Sequence, residues 1–302
     1  MTDTPVEARP RMVRHVEGEL TPPSSNQGLL EVFRRRYLLN LLVRRELAAR
    51  YEGSFLGFVW SYINPLSQFF IYWFVMGKLM GAHQNIPNYP IHIFSALIVV
   101  HFFTETFGAG TRSIVRNKAL LTKQAMPREM FPVAAMLVSL VHVGPQLVIL
   151  VVFAIGSGWA PDAVGVAAMF ESLAISMVLG TALALLFSVA NVYFRDFGSF
   201  VGIATNYVRW GVPMVYSYEM VRNSLGQFAT ALYLSDPIAT GVLLIQRAFW
   251  VGTVNDPADP AVTAMPDHLL LIGLGVLGAS VIMLVVAQLV FNKFEKKIPE
   301  RL

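Results

Sequence analysis

Six long apolar stretches, at residues 55–77, 91–107, 131–155, 164–192, 197–221 and 269–291, alternate with polar connections along this chain. Most reach the roughly 18–20 residues that carry a helix across a ~30 Å hydrocarbon layer. A helix is the expected element because it satisfies its own backbone hydrogen bonds where water is missing. Two shorter apolar pieces, 225–234 and 238–251, are divided by Ser235-Asp236-Pro237. Each is too short to cross on its own. The pattern predicts an all-α membrane protein: six transmembrane helices, an amphipathic interfacial helix before them, and an outer re-entrant helical hairpin between helices 5 and 6.

Charge sets the orientation. Only 14% of the 302 residues are charged while 55% are hydrophobic, and a soluble domain carries about 25% charged residues. The sequence pI near 9.4 raises nucleic acid as a partner, but the basic residues sit in the wrong places for it. Nineteen of the 23 Lys and Arg fall on the N-terminal segment, on alternate connections and after the last stretch. The opposite connections, 81–90 and 156–163, have none. This asymmetry places both termini in the cytoplasm of a multi-pass plasma (inner) membrane protein. Two cytoplasmic ends require an even number of crossings, which makes the 225–251 pair a non-crossing hairpin. The first 50 residues lack the apolar core and cleavage site of a secretory signal. The chain has no Cys, which excludes disulfides and thiolate metal sites.

Residues 1–27 are polar and contain prolines, as expected of a mobile cytoplasmic tail. Over 28–54 an amphipathic helix is expected, with Leu29, Leu30, Phe33, Tyr37, Leu41, Leu47 and Ala48 mostly on one face. Glu31, Arg34, Arg35, Arg45 and Glu46 fall opposite. Two readings fit: a helix on the inner membrane surface with Arg toward anionic lipid, or an ordinary solvated helix. The transmembrane domain follows at 55–292, then a basic cytoplasmic tail at 293–302. Asn64-Pro65 predicts a bend in the first span.

Catalytic motifs are missing. There is no G-x-x-x-x-G-K-S/T phosphate loop, and no Lys is followed by Ser or Thr. There is no G-x-S-x-G elbow and no H-E-x-x-H zinc helix. His101 and Glu105 lie one helical turn apart, a two-ligand face without a third ligand; the ordinary reading is a packing or pore-lining pair. Arg209 lies in the middle of the fifth stretch, where an isolated charge costs about 2.5–3.5 kcal/mol. It is expected to pair with Glu171, at similar depth in the fourth stretch, or to meet an anionic part of a substrate. Trp60, Tyr62, Phe69, Phe70, Tyr72, Trp73 and Phe74 in the first stretch, with Tyr207, Trp210, Tyr216 and Tyr218 in the fifth, suit either lipid contact or stacking on sugar faces. Lys78 reads as a snorkelling anchor.

The segment RYEGSFLGFVWSYINPL at 50–66 resembles the signature entering the first span of polysaccharide-export ABC permeases. These are the type-2 ABC membrane subunits for O-antigen, teichoic acid and capsule. Arg50, Tyr51, Ser54, Leu56, Gly57, Trp60 and Pro65 carry the match. Met126-Pro127-Arg128-Glu129 with Pro132 resembles the family's cytoplasmic helix before the third span. Asn191 with Tyr193-Phe194-Arg195-Asp196 is similar to its second cytoplasmic connection, and Asp236-Pro237 with Arg247 to its outer gate, where the family carries Asn in place of Asp236. The chain also resembles the actinobacterial branch that exports lipid-linked galactan.

The resemblance implies a permease subunit, not an enzyme, working as a homodimer with two copies of a separate ABC ATPase that holds ATP and Mg; this chain would carry no cofactor or metal. Arg112, Arg116, Lys118, Lys123, Arg128, Glu129, Arg195 and Asp196 would couple to that ATPase. Trp60, Tyr62, Phe69, Tyr72, Trp73, Tyr207, Arg209, Trp210 and Tyr216 would line the substrate channel. Arg34, Arg35, Arg36, Arg44, Arg45 and Arg50 would meet the polyprenyl-diphosphate end of a lipid-linked glycan, since Arg forks pair well with phosphate; plain attraction to membrane lipid fits those arginines equally. Asp236, Pro237 and Arg247 would form the outer gate. Two other functions fit the architecture less closely: a drug or small-lipid exporter, and a gradient-driven carrier or membrane glycosyltransferase. The last pair needs an acidic metal or proton site, and no D-x-D occurs.

Overall fold

A computed structural model describes residues 28–295, apart from 85, 124, 125, 255 and 257, together with residue 298. The tail expected over 1–27 lies outside the described residues, as does most of the C-terminal basic tail. Among the described residues every regular element is helical. Two short helices come first, α1 (Leu29–Arg34) and α2 (Arg36–Tyr51). Then follow α3 (Trp60–Ile71), α4 (Tyr89–Arg116), α5 (Lys118–Leu121), α6 (Met130–Gly156) and α7 (Ala163–Tyr193). The chain continues with α8 (Phe197–Gly211), α9 (Tyr218–Ser224), α10 (Gln227–Leu234), α11 (Pro237–Phe249), α12 (Pro260–Thr263) and α13 (Leu269–Glu295).

Four of these, α4, α6, α7 and α13, are each long and apolar enough to cross a membrane. The first stretch departs from a plain α-helix: after α3 the chain widens into a π-helix over Tyr72–Leu79. Pro65 lies inside α3, and the π-helical segment begins about two turns further along, at Tyr72. The fifth stretch is a correction. It stops at Gly211 because Pro213 disfavours helical geometry in the residue before it, and Val212 is extended at φ −94°, ψ 156°. The short apolar pair is two helices as expected, bent by 82° where α10 meets the segment Pro237–Thr253.

The bundle is built around α4, α7 and α11, each packed on the other two. Small residues let α4 and α7 approach closely: Gly180 faces Thr106, and one turn on Ala184 faces Gly110. Ser172 on α7 donates to the Gly241 carbonyl of α11 at 2.6 Å. α11 is buried along most of its length, whereas α10 is exposed, with Phe228 at 84%. At the end of the bundle where α11 terminates, side chains close the irregular backbone. Trp250 donates to the Pro87 carbonyl (2.6 Å), Trp159 to Ala248 (2.9 Å) and Gln246 to Pro213 (2.8 Å). Non-helical backbone at membrane depth needs such partners.

α2 carries an apolar face beyond the one expected. Leu39, Leu42 and Val43 are buried in a cluster with Met130, Phe131 and Val133 of α6. The face built from Leu30, Phe33, Tyr37 and Leu41 is exposed instead. The helix therefore has two apolar sides, one spent on the bundle and one left outside the protein.

Candidate functional site

The motif at 50–66 folds as the turn joining α2 to α3. Gly53 and Gly57 take φ of 74° and 50°, a left-handed geometry that favours glycine. Ser54 Oγ accepts the Gly57 N–H at 3.1 Å. The turn delivers two side chains to the bundle. Arg50 forms an ion pair with Glu105 of α4. Tyr51 Oη lies 2.8 Å from His142 Nε2 on α6 and also meets Ser61. His142 Nδ1 is 3.4 Å from Glu105, and His101 Nε2 is 3.5 Å from the same carboxylate. The carboxylate is thus surrounded by an arginine and two imidazoles while only 9% exposed. The His101–Glu105 pair is half of this cluster. His142 was the partner that sequence reasoning missed, although an imidazole inside the third apolar stretch is the same kind of signal that marked Arg209.

Two cavities meet at this cluster and share Arg50, Thr104 and Glu105 in their walls. One, of about 570 Å³, runs toward the C-terminal end of α4 past Arg45, Glu46, Arg112 and Arg116. The other, of about 420 Å³, lies between α3, α4 and α8 and is walled by Asn64, Gln68, His101 and Arg209. Together they bring five arginines and two glutamates to one passage.

Arg209 therefore faces the cavity and not Glu171. Glu171 lies on the other side of the bundle, against Gly273 and Leu244, and no ion pair joins the two among the described residues. Arg209 Nε and Gln68 Oε1 are buried atoms without a hydrogen-bond partner.

The aromatic residues divide. Tyr72 and Trp210 meet edge to face at 6.1 Å, joining α8 to the π-helical turn after α3. Trp60, Tyr207 and Trp210 are exposed. Tyr62 and Trp73 are half-buried, Tyr62 edge to face with Phe58 and Trp73 tilted against Phe70. Phe69 is tucked against Phe94 at 5.1 Å, away from the polar cavity. The Tyr216 hydroxyl donates to the Gly211 carbonyl at 2.8 Å and so closes the break after α8.

The expected diphosphate-binding arginines also divide. Arg45 and Arg50 line the cavity. Arg34, Arg36 and Arg44 are exposed on the outside, and Arg35 is engaged with Glu31 at 2.6 Å. At the C-terminal end of α4 and on the basic connections, Arg112, Arg116, Lys118, Lys123, Arg195 and Asp196 are exposed. Arg112 reaches the Gly198 carbonyl at 3.3 Å, so the two connections touch. Arg116 pairs with Glu46 of α2. Glu129 departs from the expected coupling role: it is 3% exposed and accepts from Gln288 of α13 at 3.1 Å. Half-buried Arg128 donates to the Glu295 carbonyl.

Asp236 caps the N-terminus of α11, its Oδ1 accepting the Ile238 N–H at 2.9 Å, with Pro237 at the first turn. Asn offers the same acceptor, so the acidic residue preserves this cap. Arg247 binds Asp162 at 2.8 Å. That hydrogen bond, above all, holds the Asp162 carboxyl below its usual range. Among the described residues no cluster of three His, Cys, Asp or Glu has metal-binding geometry.

A bundle with bent half-helices, long apolar spans and basic connections is that of a multi-pass integral membrane transporter, and residues 37–238 match the ABC-2 type transporter family. The chain belongs to that family. It is similar to the O-antigen export system permease protein RfbA of Myxococcus xanthus, 29% identical over 231 residues that cover 76% of this chain and 86% of that protein. It is likewise similar to the protein of that name from Klebsiella pneumoniae, 28% identical over 223 residues covering 72% and 83%.

Proposed function

We propose that this chain is the membrane subunit of an ATP-driven exporter that moves a polyprenyl-diphosphate-linked polysaccharide across the plasma membrane. The observation that carries the reading is the arginine-lined passage along α4, which runs beside the exposed aromatic residues of α3 and α8. Arginine suits the diphosphate end of such a substrate. Aromatic faces suit a sugar chain, which needs a sequence-tolerant surface to slide on. The relatives named as O-antigen export permeases support a glycan cargo, and the resemblance to the galactan-exporting branch favours a cell-wall glycan.

In this reading six segments cross the membrane and both termini are cytoplasmic. The π-extended α3 and the short α8 complete the four long spans. The exposed apolar side of α2 lies on the inner lipid surface, and the bent α10–α11 pair is a re-entrant hairpin forming the outer gate. The exposed faces of α3 and α8 meet a second copy of the chain, which closes the half-open cavity. Arg112, Arg116, Lys118, Lys123, Arg195 and Asp196 dock two ATPase subunits that bind ATP and Mg; the lack of a phosphate loop here supports a division of labour between chains.

Purification of the tagged chain in mild detergent is the test. A stoichiometric soluble ATPase carrying a phosphate loop, with accumulation of lipid-linked glycan in depleted cells, is the expected result. Purification as a lone stable protein sinks the ATP-driven reading. Accumulation of a small lipid or drug sinks the glycan.

A further inference from the structure

At the end of α2 the exposed Arg50 is neutralised by the buried Glu105, whereas Arg209 has no carboxylate within ion-pair distance among the described residues. Both arginines line one cavity of about 420 Å³, and Gln68 contributes a second unpartnered polar atom to its wall. An arginine held in an apolar bundle without a counter-ion is costly. Glu105 is already shared among Arg50, His101 and His142, so it has little to offer a fourth cation. The local charge is therefore unbalanced toward positive by design of the helices. α2 supplies one arginine and α8 the other, and both line the same space.

We propose that this cavity is a phosphate-anion exchange site. A diphosphate or phosphate-type group sits between Arg50 and Arg209, and it takes Arg50 from Glu105 when it binds. Glu105 is the resident stand-in: its carboxylate occupies the Arg50 guanidinium until a better acceptor arrives, since a phosphate group presents more oxygens to an arginine fork than a carboxylate does. The exchange releases the last turn of α2 from Glu105, while Arg116 with Glu46 still ties α2 to α4 and Tyr51 with His142 ties it to α6. The position of the site rests on the geometry alone. The identity of its ligand as a lipid-linked diphosphate rests on the exporter reading.

The test is binding of inorganic diphosphate to the full chain in zwitterionic nanodiscs, followed by 31P NMR line broadening or calorimetry. Arg209→Gln should weaken binding about tenfold, the loss of one charge-assisted contact. Glu105→Gln should strengthen it, because the competing anion is gone while both arginines stay. Arg209→Lys should keep part of the affinity. A merely structural cluster predicts the opposite for Glu105→Gln: lower thermal stability and diphosphate binding unchanged or weaker. That result, or Arg209→Gln binding like the parent while folding like it, overturns the site.

Two competitors identify the source. Polyprenyl diphosphate displacing the probe assigns the site to the lipid-linked substrate end. Phosphatidylglycerol displacing it at ordinary bilayer fractions assigns it to bulk anionic lipid; the site then stands and the exporter assignment of its ligand fails. Because binding is read without the ATPase, failure here is separate from failure to co-purify one.

Discussion

Gly110 offers the sharpest test of how α4 and α7 hold the bundle. A β-carbon built on Gly110 collides with the Ala184 β-carbon and lies 3.5 Å from the Ala184 α-carbon. The obstacle is attached directly to the backbone, so no rotamer change relieves it. Gly110→Ala must push the two helices apart, and overpacking of this kind costs about 1–3 kcal/mol. The same change gains about 1 kcal/mol of helix propensity. Gly278 in α13 meets nothing within 4 Å, so Gly278→Ala keeps the gain without the collision. Gly110→Ala should therefore be about 1–3 kcal/mol less stable than Gly278→Ala. In a chain of a few hundred residues each kcal/mol moves the melting midpoint by roughly 2–4 °C. Thermal unfolding of both variants in one detergent, read by intrinsic fluorescence, measures the difference. The swapped pair Gly110→Ala with Ala184→Gly moves the methyl to the other helix and should recover most of the loss. Equal midpoints for the two single variants, or no recovery in the swap, would refute the close crossing.

Three further outcomes follow from the ends of the helices. Asp236→Ala should cost about 1 kcal/mol by removing the α11 cap, whereas Asp236→Asn should be nearly silent in the same melting assay. Asp162 is held below its ordinary value of 3.8 mainly by the hydrogen bond from Arg247. A lowered folded-state value means that the pair's contribution is present at neutral pH and is lost as pH falls below 3.8 through the folded value. With its side chains 29% and 45% exposed, the pair is worth under about 1 kcal/mol, so Arg247→Ala and wild type should converge in stability at the acid end of a pH series. Arg116→Ala breaks the contact with Glu46; it should raise amide exchange in α2 while leaving α4 protected, at a stability cost under about 1 kcal/mol.

Much of this protein was written in one dimension. Span length and the side on which Lys and Arg lie are local properties, because lipid and membrane insertion read them segment by segment. The short pair either side of Ser235-Asp236-Pro237 was legible for the same reason: proline and a capping aspartate act on their own backbone. The break at Gly211 was legible too, in Pro213, but the surrounding apolar run hid it. Partnership was not legible. Depth placed Arg209 level with Glu171, yet helix rotation decides which way a side chain faces, and rotation is set by packing against neighbours. α7 turns its small residues to α4, and that carries Glu171 round to Gly273. The same packing turns Glu105 to Arg50, His101 and His142, residues far apart in the chain. Glu129 shows the limit from the other direction. A charged residue in a basic cytoplasmic connection looks exposed in sequence, and the return of α13 buries it against Gln288. Sequence alone determined that this chain crosses a membrane several times and to which permease family its motifs point. Only the tertiary structure decided which charges meet, because pairing depends on helix rotation and close approach, and neither is encoded at any single position.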